Sequence, residues 1–405
     1  MPDLLFLSHR IPYPPDKGDK IRSWHALSHL AQHFRVHLGC FADDPEDLAH
    51  EAALRAVCAD CLIVPVNPTL ALVRSVPALL GDTPISVRSL AHAGMRAWVH
   101  GHARRGNLAG VFVFSSAMAS HVLDAGFDPR RIVLDYGDVD SDKWRQYARR
   151  KHGPMRWIYA REARTLAAFE HAAAASASAT LFVSEPEAAL FRAQAPDVAD
   201  RIRVVENGVD HRYFDPAVNL SDPFPAGARA IVFTGRMDYW ANIDGVTWFA
   251  RDILPLVRQR CPQAQFWIVG SHPAKAVQAL ADVPAVTVTG RVDDVRPYLA
   301  HAAVVAAPLR VARGVPNKIL EAMSMAKPVV ATGQAMNGIR AERGRDILIA
   351  DEAAAFAAAV ADVIDGAADP DVGSRARATV LAHYDWDTNL AALRAIVDAA
   401  AGAGR

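Results

Sequence analysis

Short apolar runs bounded by Gly, Pro or Asp recur along this chain, with helically spaced stretches between most of them. Runs at Asp3–Ser8, Val36–Phe41, Leu62–Val66, Val111–Ser115, Ile132–Asp135, Thr180–Val183 and Ile202–Val205 are predominantly apolar rather than alternating, the pattern of strands covered on both faces. After the first, Ile21, Leu27, Leu30, Ala31 and Phe34 mark one helix face, and Ala163–Ala177 reads as an alanine-rich helix. A proline-bearing stretch through Pro216, Pro223 and Pro225 interrupts the alternation. It restarts with strands at Ala230–Thr234, Gln265–Val269, Ala285–Thr289, Ala303–Ala307, Val329–Thr332 and Ile347–Ala350, and with helices at Ile243–Arg258, Val295–Ala300 and Pro316–Ala326. Strand–helix alternation predicts an α/β fold with a doubly wound parallel sheet, and the interruption predicts two such domains, 1–212 and 213–383.

The densest chemistry lies in Pro308–Thr332, where a strand ends in a loop carrying Arg310, Arg313 and Gly314 and a helix starts near Pro316. Ligands of open α/β sheets bind at the carboxyl ends of strands, and a helix start offers free N–H groups to an anion. Asn317 and Glu321, four apart, share a helix face there. Lys318 is a cation in a first turn whose dipole opposes it, so it needs another reason to be present. A nucleoside diphosphate answers all three features: phosphates for the N–H groups and Lys318, a sugar diol for Glu321.

Leu320-Glu321-Ala322-Met323 and Ala326-Lys327-Pro328-Val329-Val330 resemble the donor motif of the retaining GT-B glycosyltransferases of family 4. Asn207-Gly208-Val209-Asp210, followed by Phe214-Asp215-Pro216, resembles that family's interdomain junction. The resemblance implies two Rossmann-like domains facing across a cleft, with 384–405 returning to the first. It implies that Glu321 holds the ribose, that Arg236 after the Ala230 strand contacts the diphosphate, and that Gly290, Arg291 and Val292 frame the base. It further implies that Gly314, Val315, Pro316 and Asn317 line the donor site. Two positions depart from the family: Arg313 stands where a sugar-contacting Glu is usual, and Ala241 where a second diphosphate-binding Lys is usual, a charge Lys318 could supply. Gly18 corresponds to the family's glycine loop, and Lys17, Lys20 and Arg22 around it predict a positive environment for phosphate. Asp138 is the candidate residue beside the reacting sugar, with Asp140 second. Their D-x-D spacing is read as an Asp-rich loop rather than a metal site, so no metal and no cofactor are expected. The strings YPPDKGDKIRSWH, DVDSDKW, TGRMDYW and GVPNKILEAM look like a narrower group, the sugar transferases of bacterial exopolysaccharide and exosortase (PEP-CTERM) systems. That likeness implies a retaining, metal-independent glycosyltransferase with a nucleotide-sugar donor and a glycan or polyprenyl-linked acceptor. The rivals are a nucleotide-sugar epimerase or hydrolase on the same fold and a non-catalytic nucleotide-sugar-binding partner.

Composition narrows the setting. Formal net charge is +0, which argues against a nucleic-acid partner. No apolar run approaches the roughly 20 residues of a spanning helix, and the acidic start does not read as a secretory signal. Four cysteines in 405 residues suit a reducing compartment, and the lone Cys58-Ala59-Asp60-Cys61 reads as ordinary thiols. Lys143–Arg164 interleaves Trp144, Tyr147, Trp157 and Tyr159 with eight cations, so this segment is expected to meet an anionic membrane surface from the cytoplasmic side.

Overall fold

The computed structural model describes residues 1–312 and 314–402, and they form two compact units: Met1–Glu206 with the C-terminal segment from Asp387, and Asn207–Trp386. Arg313 lies outside the described residues.

The first unit is built on seven strands: β1 (Asp3–Ser8), β2 (Arg35–Ala42), β3 (Asp60–Pro65), β4 (Leu108–Phe114), β5 (Ile132–Gly137), β6 (Ala179–Phe182) and β7 (Ile202–Val204). Their order is β3-β2-β1-β4-β5-β6-β7, every pairing parallel. Leu4, Leu5, Phe6 and Leu7 of β1 are all fully buried, which is why that strand shows no polar alternation. The second unit repeats the plan with β8 (Arg229–Thr234), β9 (Ala264–Val269), β10 (Val286–Gly290), β11 (Val304–Ala307), β12 (Val329–Ala331) and β13 (Leu348–Ile349). Their order is β10-β9-β8-β11-β12-β13, again all parallel.

Both orders reverse direction next to the first strand of the unit, between β1 and β4 and between β8 and β11. In doubly wound sheets the loops leaving the carboxyl ends at such a reversal diverge and open a crevice for ligand. The expected pair of doubly wound α/β sheets is therefore present.

One element differs from the sequence pattern. The single helix expected over Ile243–Arg258 is Trp240–Trp248, a π-helical turn at Phe249–Ile253, and Leu254–Arg260. The wider turn keeps Phe249, Ile253 and Val257 buried. Lys143–Arg164 falls on two helices, Asp140–Arg149 and Gly153–Ala175, broken where Gly153 takes φ +60°.

Candidate active site

In the second unit, β8 ends at Thr234 and the chain turns through Gly235 and Arg236, while β11 leads through Pro308–Pro316 into the helix Asn317–Ser324. That helix buries Ile319, Leu320, Ala322 and Met323, and this apolar face turns Lys318 toward the end of β8. Lys318 Nζ donates to Asn242 Oδ1 at 2.9 Å and sits 3.7 Å from the centre of the Phe233 ring. Asn242 in turn donates from Nδ2 to the Arg236 carbonyl at 2.7 Å, so the amide locks the ammonium to the turn after β8. No acidic side chain forms an ion pair with Lys318 among the described residues, and Glu321 on the same helix acts on it only through its charge.

The backbone here requires glycine. Gly235 has φ +145°, and a Cβ on it would stand 2.8 Å from Lys318 Nζ. Gly270, just after β9, has φ +154°, and its Cβ would meet the Gly235 carbonyl oxygen at 1.7 Å. Any side chain at either position would fill the space at the strand ends. Gly290 closes β10, next to the exposed Arg291 and the half-buried Val292.

Glu321 is one turn along the same helix from Asn317. Burial pushes its carboxyl up to about 7, against the opposing pull of Lys318, and burial pushes the Lys318 ammonium down to about 7, against Glu321. Both keep some solvent-accessible surface, so neither is sealed in the core. The Asn317 side-chain oxygen and nitrogen are both buried without a hydrogen-bond partner, beside buried Gly314 and Val315 and half-buried Pro316. A site with an orphaned amide, a destabilised ammonium and a destabilised carboxylate is arranged for a polar ligand. Arg236 is bound by Asp238 through Nη2 at 2.6 Å and Nε at 3.1 Å, a partner the sequence pattern did not suggest. Asn242 was likewise unmarked, because its role depends on Lys318, 76 residues away.

In the first unit the structure corrects one expectation. Of the three cations around the exposed Gly18, two serve the interior. Lys20 is fully buried and pairs with Asp47 at 2.9 Å and Asp16 at 3.0 Å, and Arg22 pairs with Asp135 at 2.9 Å. Arg22 reaches a carboxylate of β5, and Lys20, on another face of the helix, reaches those of the turn after β2 and the loop before the helix; a buried charge needs a partner charge. The loop after β1 instead presents His9 and Arg10, both on Asp19, at 3.1 Å and 2.6 Å. Burial raises Asp19, but the His9 hydrogen bond and the Arg10 charge outweigh it and hold its carboxyl well below the usual range.

Asp138 stands half-buried at the carboxyl end of β5. Its loop is fixed by two buried carboxylates: Glu187 Oε2 accepts from the Val139 N–H at 2.8 Å, and Glu170 Oε1 from the Ser141 N–H at 3.3 Å. Burial, with Asp140 adding repulsion, pushes Glu170 up to about 8. Asp140 pairs with Lys143 at 3.1 Å. Among the described residues, the grouping suited to a metal ion is elsewhere, at His37, Asp60 and His102, whose ligand atoms lie within 4.8 Å of one another. Arg105 Nη1 approaches His102 Nδ1 there at 3.5 Å. In the basic segment, Trp144, Tyr147 and Tyr159 pack on one another at centroid separations of 5.2 to 6.2 Å, so they do not face outward as an aromatic belt would. Trp157 does.

Comparison with known proteins bears on both units. Residues 228–366, inside the second unit, match the family model described as Glycosyl transferases group 1. No curated protein matches the sequence significantly. Among solved structures, HepE of Anabaena in complex with UDP is similar over 98% of this chain and 100% of its own, at 18% identity and a TM-score of 0.69. Sucrose-phosphate synthase from Thermosynechococcus elongatus is similar over 98% of each chain, at 17% identity and a TM-score of 0.71. WaaG, a glycosyltransferase involved in lipopolysaccharide biosynthesis, is similar over 97% of this chain and 99% of its own, at 14% identity and a TM-score of 0.66. At such identities the likeness is one of fold. The second unit thus carries the Glycosyl transferases group 1 pattern, and the chain as a whole has the two-sheet α/β fold of GT-B glycosyltransferases.

Proposed function

We propose that this protein transfers a sugar from a nucleoside-diphosphate sugar to an acceptor, with retention and without a metal ion. The observation that carries the reading is Lys318, held by Asn242 against the glycine turn at the end of β8 with no protein anion paired to it. A diphosphate would accept from Lys318, from Arg236 and from the free N–H groups at the start of the Asn317 helix. These donors stabilise the charge that develops on the leaving nucleoside diphosphate, in place of a divalent cation. Glu321 would accept from the ribose hydroxyls, and Gly290 to Val292 would border the base. The sugar would pass through an oxocarbenium-like state, and Asp138 is the candidate residue to act on the reacting sugar. Solved complexes of the similar HepE with UDP and with UDP-glucose support a nucleotide sugar as donor. A lipid-linked acceptor in exopolysaccharide synthesis, met from the cytoplasmic face, is the reading that the exopolysaccharide-type motifs support.

Equilibrium titration with a panel of UDP-, GDP- and ADP-sugars tests the donor site. At least one should bind, and the corresponding free nucleoside diphosphate should compete. Failure of every member at millimolar concentration would overturn the reading, and binding without any sugar release in the presence of acceptor would favour the non-catalytic rival.

A further inference from the structure

The first unit exposes apolar side chains where a water-facing surface would bury them. In the helix Pro68–Ser75 the large residues Leu70, Leu72 and Val73 are exposed while Ser75 is buried, an inversion of ordinary amphipathic packing. The chain continues through exposed Val76 to Leu80, which is 95% exposed. This segment is held in that posture from within: buried Arg161 donates to the carbonyls of Ala78, Gly81 and Thr83, and Glu162 accepts from the Ile85 N–H at 2.7 Å and the Ser86 N–H at 2.9 Å. One turn before Arg161 on the same helix, Trp157 is 58% exposed.

Beside this surface runs a groove of about 450 Å³ whose charged lining is Arg145, Arg149, Arg156 and Arg164, over a floor of alanines. Arg145 is paired with Asp142 at 2.8 Å, and Arg164 reaches Asp82 at 3.7 Å. Arg149 and Arg156 have no hydrogen-bond or ion-pair partner among the described residues, so two like charges share the groove uncompensated. Arg164 both lines the groove and touches the turn two residues from Leu80, which joins the basic and apolar surfaces into one.

We propose that this combined surface docks on an anionic membrane, the arginine groove taking phosphate-bearing headgroups while Leu70 to Leu80 and Trp157 enter the interfacial layer. Exposed aliphatic and indole side chains next to unpaired guanidinium groups match the two layers of such a surface, phosphate above and acyl chain below. A folded protein partner would need acidic groups at the groove and an apolar face beside it. The membrane supplies both without shape complementarity. The proposal extends the acceptor side of the reading above, but its test uses no nucleotide, so its failure and that of the donor site are told apart.

The test is co-sedimentation of the full chain with vesicles of neutral phospholipid alone and of neutral with anionic phospholipid. Wild type should sediment only with the anionic vesicles, and should be released at about 1 M salt, where the Debye length is about 3 Å. Arg149→Ser with Arg156→Ser should weaken partitioning about thirtyfold, from two charges removed near the surface. Leu80→Ser with Trp157→Ser should weaken it at low salt with every arginine still in place. All variants should keep the wild-type circular dichroism spectrum and melting temperature, which verifies their fold. Equal binding to neutral vesicles, or no effect of the arginine pair, would overturn the proposal. So would arginine-dependent binding of inorganic pyrophosphate without vesicle binding, which would make the groove a site for soluble phosphate. A dimer of wild type that Leu80→Ser with Trp157→Ser dissociates, again without vesicle binding, would assign the apolar face to a second copy.

Discussion

Affinity for a nucleoside diphosphate should pass through an optimum near pH 7, with each limb belonging to a named side chain. Lys318 must be charged to hold the diphosphate, yet burial holds its free-state pKa at about 7. A bound anion raises that pKa, so binding takes up a proton, and affinity falls as pH rises through the free-state value. With half of Lys318 protonated at pH 7 and about one part in a hundred at pH 9, affinity should fall about fiftyfold across that range if the bound-state pKa exceeds 9. Glu321 has the opposite sign. Its free-state pKa of about 7 leaves it protonated in acid, and affinity rises with pH as it becomes the carboxylate that accepts from ribose. Nucleotide phosphate titrates near pH 6 on the same limb, so the comparison with the variant is what isolates Glu321. Lys318→Met keeps the packing on Phe233 and should lower affinity at pH 7 about 10- to 150-fold, the worth of a charge-assisted hydrogen bond, while abolishing the alkaline limb. Glu321→Gln should cost about fivefold, the difference between a charge-assisted and a neutral bond; it should remove the Glu321 part of the acid limb and, with its pull on Lys318 gone, move the alkaline limb to lower pH. Isothermal titration between pH 5.5 and 9 decides it. A wild-type affinity flat above pH 7, or an alkaline limb that survives in Lys318→Met, would refute the reasoning.

Three further outcomes follow from the same geometry. A chelator should leave transfer activity unaltered, because Asp140 is paired with Lys143 and the phosphate charge is met by Lys318 and Arg236; loss with EDTA and recovery with manganese would require a metal at Asp138 and Asp140. Gly270→Ala should lower the melting temperature, since its Cβ would meet the Gly235 oxygen at 1.7 Å; strain of about 1–3 kcal/mol in a unit of this size corresponds to a fall of roughly 2–12 °C by calorimetry, and an unchanged value would contradict the backbone described here. Glu187→Leu leaves the buried Val139 N–H without an acceptor, a loss of about 1–3 kcal/mol in chemical denaturation, and should reduce kcat through Asp138 with donor affinity kept; an unaffected kcat would remove that loop from the reaction.

Much of the architecture is legible in the chain because buried parallel strands need unbroken apolar runs. Asp3–Ser8 shows this directly, its bounds as a strand coinciding with those of the apolar run. What could not be read is whatever depends on partners far along the chain. Lys20 and Arg22 look like phosphate ligands beside Gly18 until Asp47 and Asp135, 27 and 113 residues on, are seen to neutralise them. Lys318 was marked by its odd charge at a helix start, but the amide that aims it, Asn242, carried no signal of its own. The π-helical turn at Phe249–Ile253 is invisible because one widened turn leaves the composition of a helix unchanged. The basic segment misled through its aromatics: spacing placed four of them among cations, and only packing shows that Trp144, Tyr147 and Tyr159 satisfy each other while Trp157 faces out.

The central claim, that the Lys318 site activates a nucleoside diphosphate as a leaving group, is tested most directly by single-turnover chemistry. Excess enzyme is mixed with radiolabelled UDP-, GDP- and ADP-sugars, with and without a membrane extract as source of acceptor, and free nucleoside diphosphate and transferred sugar are followed together. One donor should yield nucleoside diphosphate and transferred sugar in equal amounts, dependent on acceptor. Lys318→Met, at donor concentrations that saturate it, should slow that release by at least tenfold. Equal rates in wild type and Lys318→Met, with donor bound in both, would show that this ammonium takes no part in departure of the leaving group and would contradict the account.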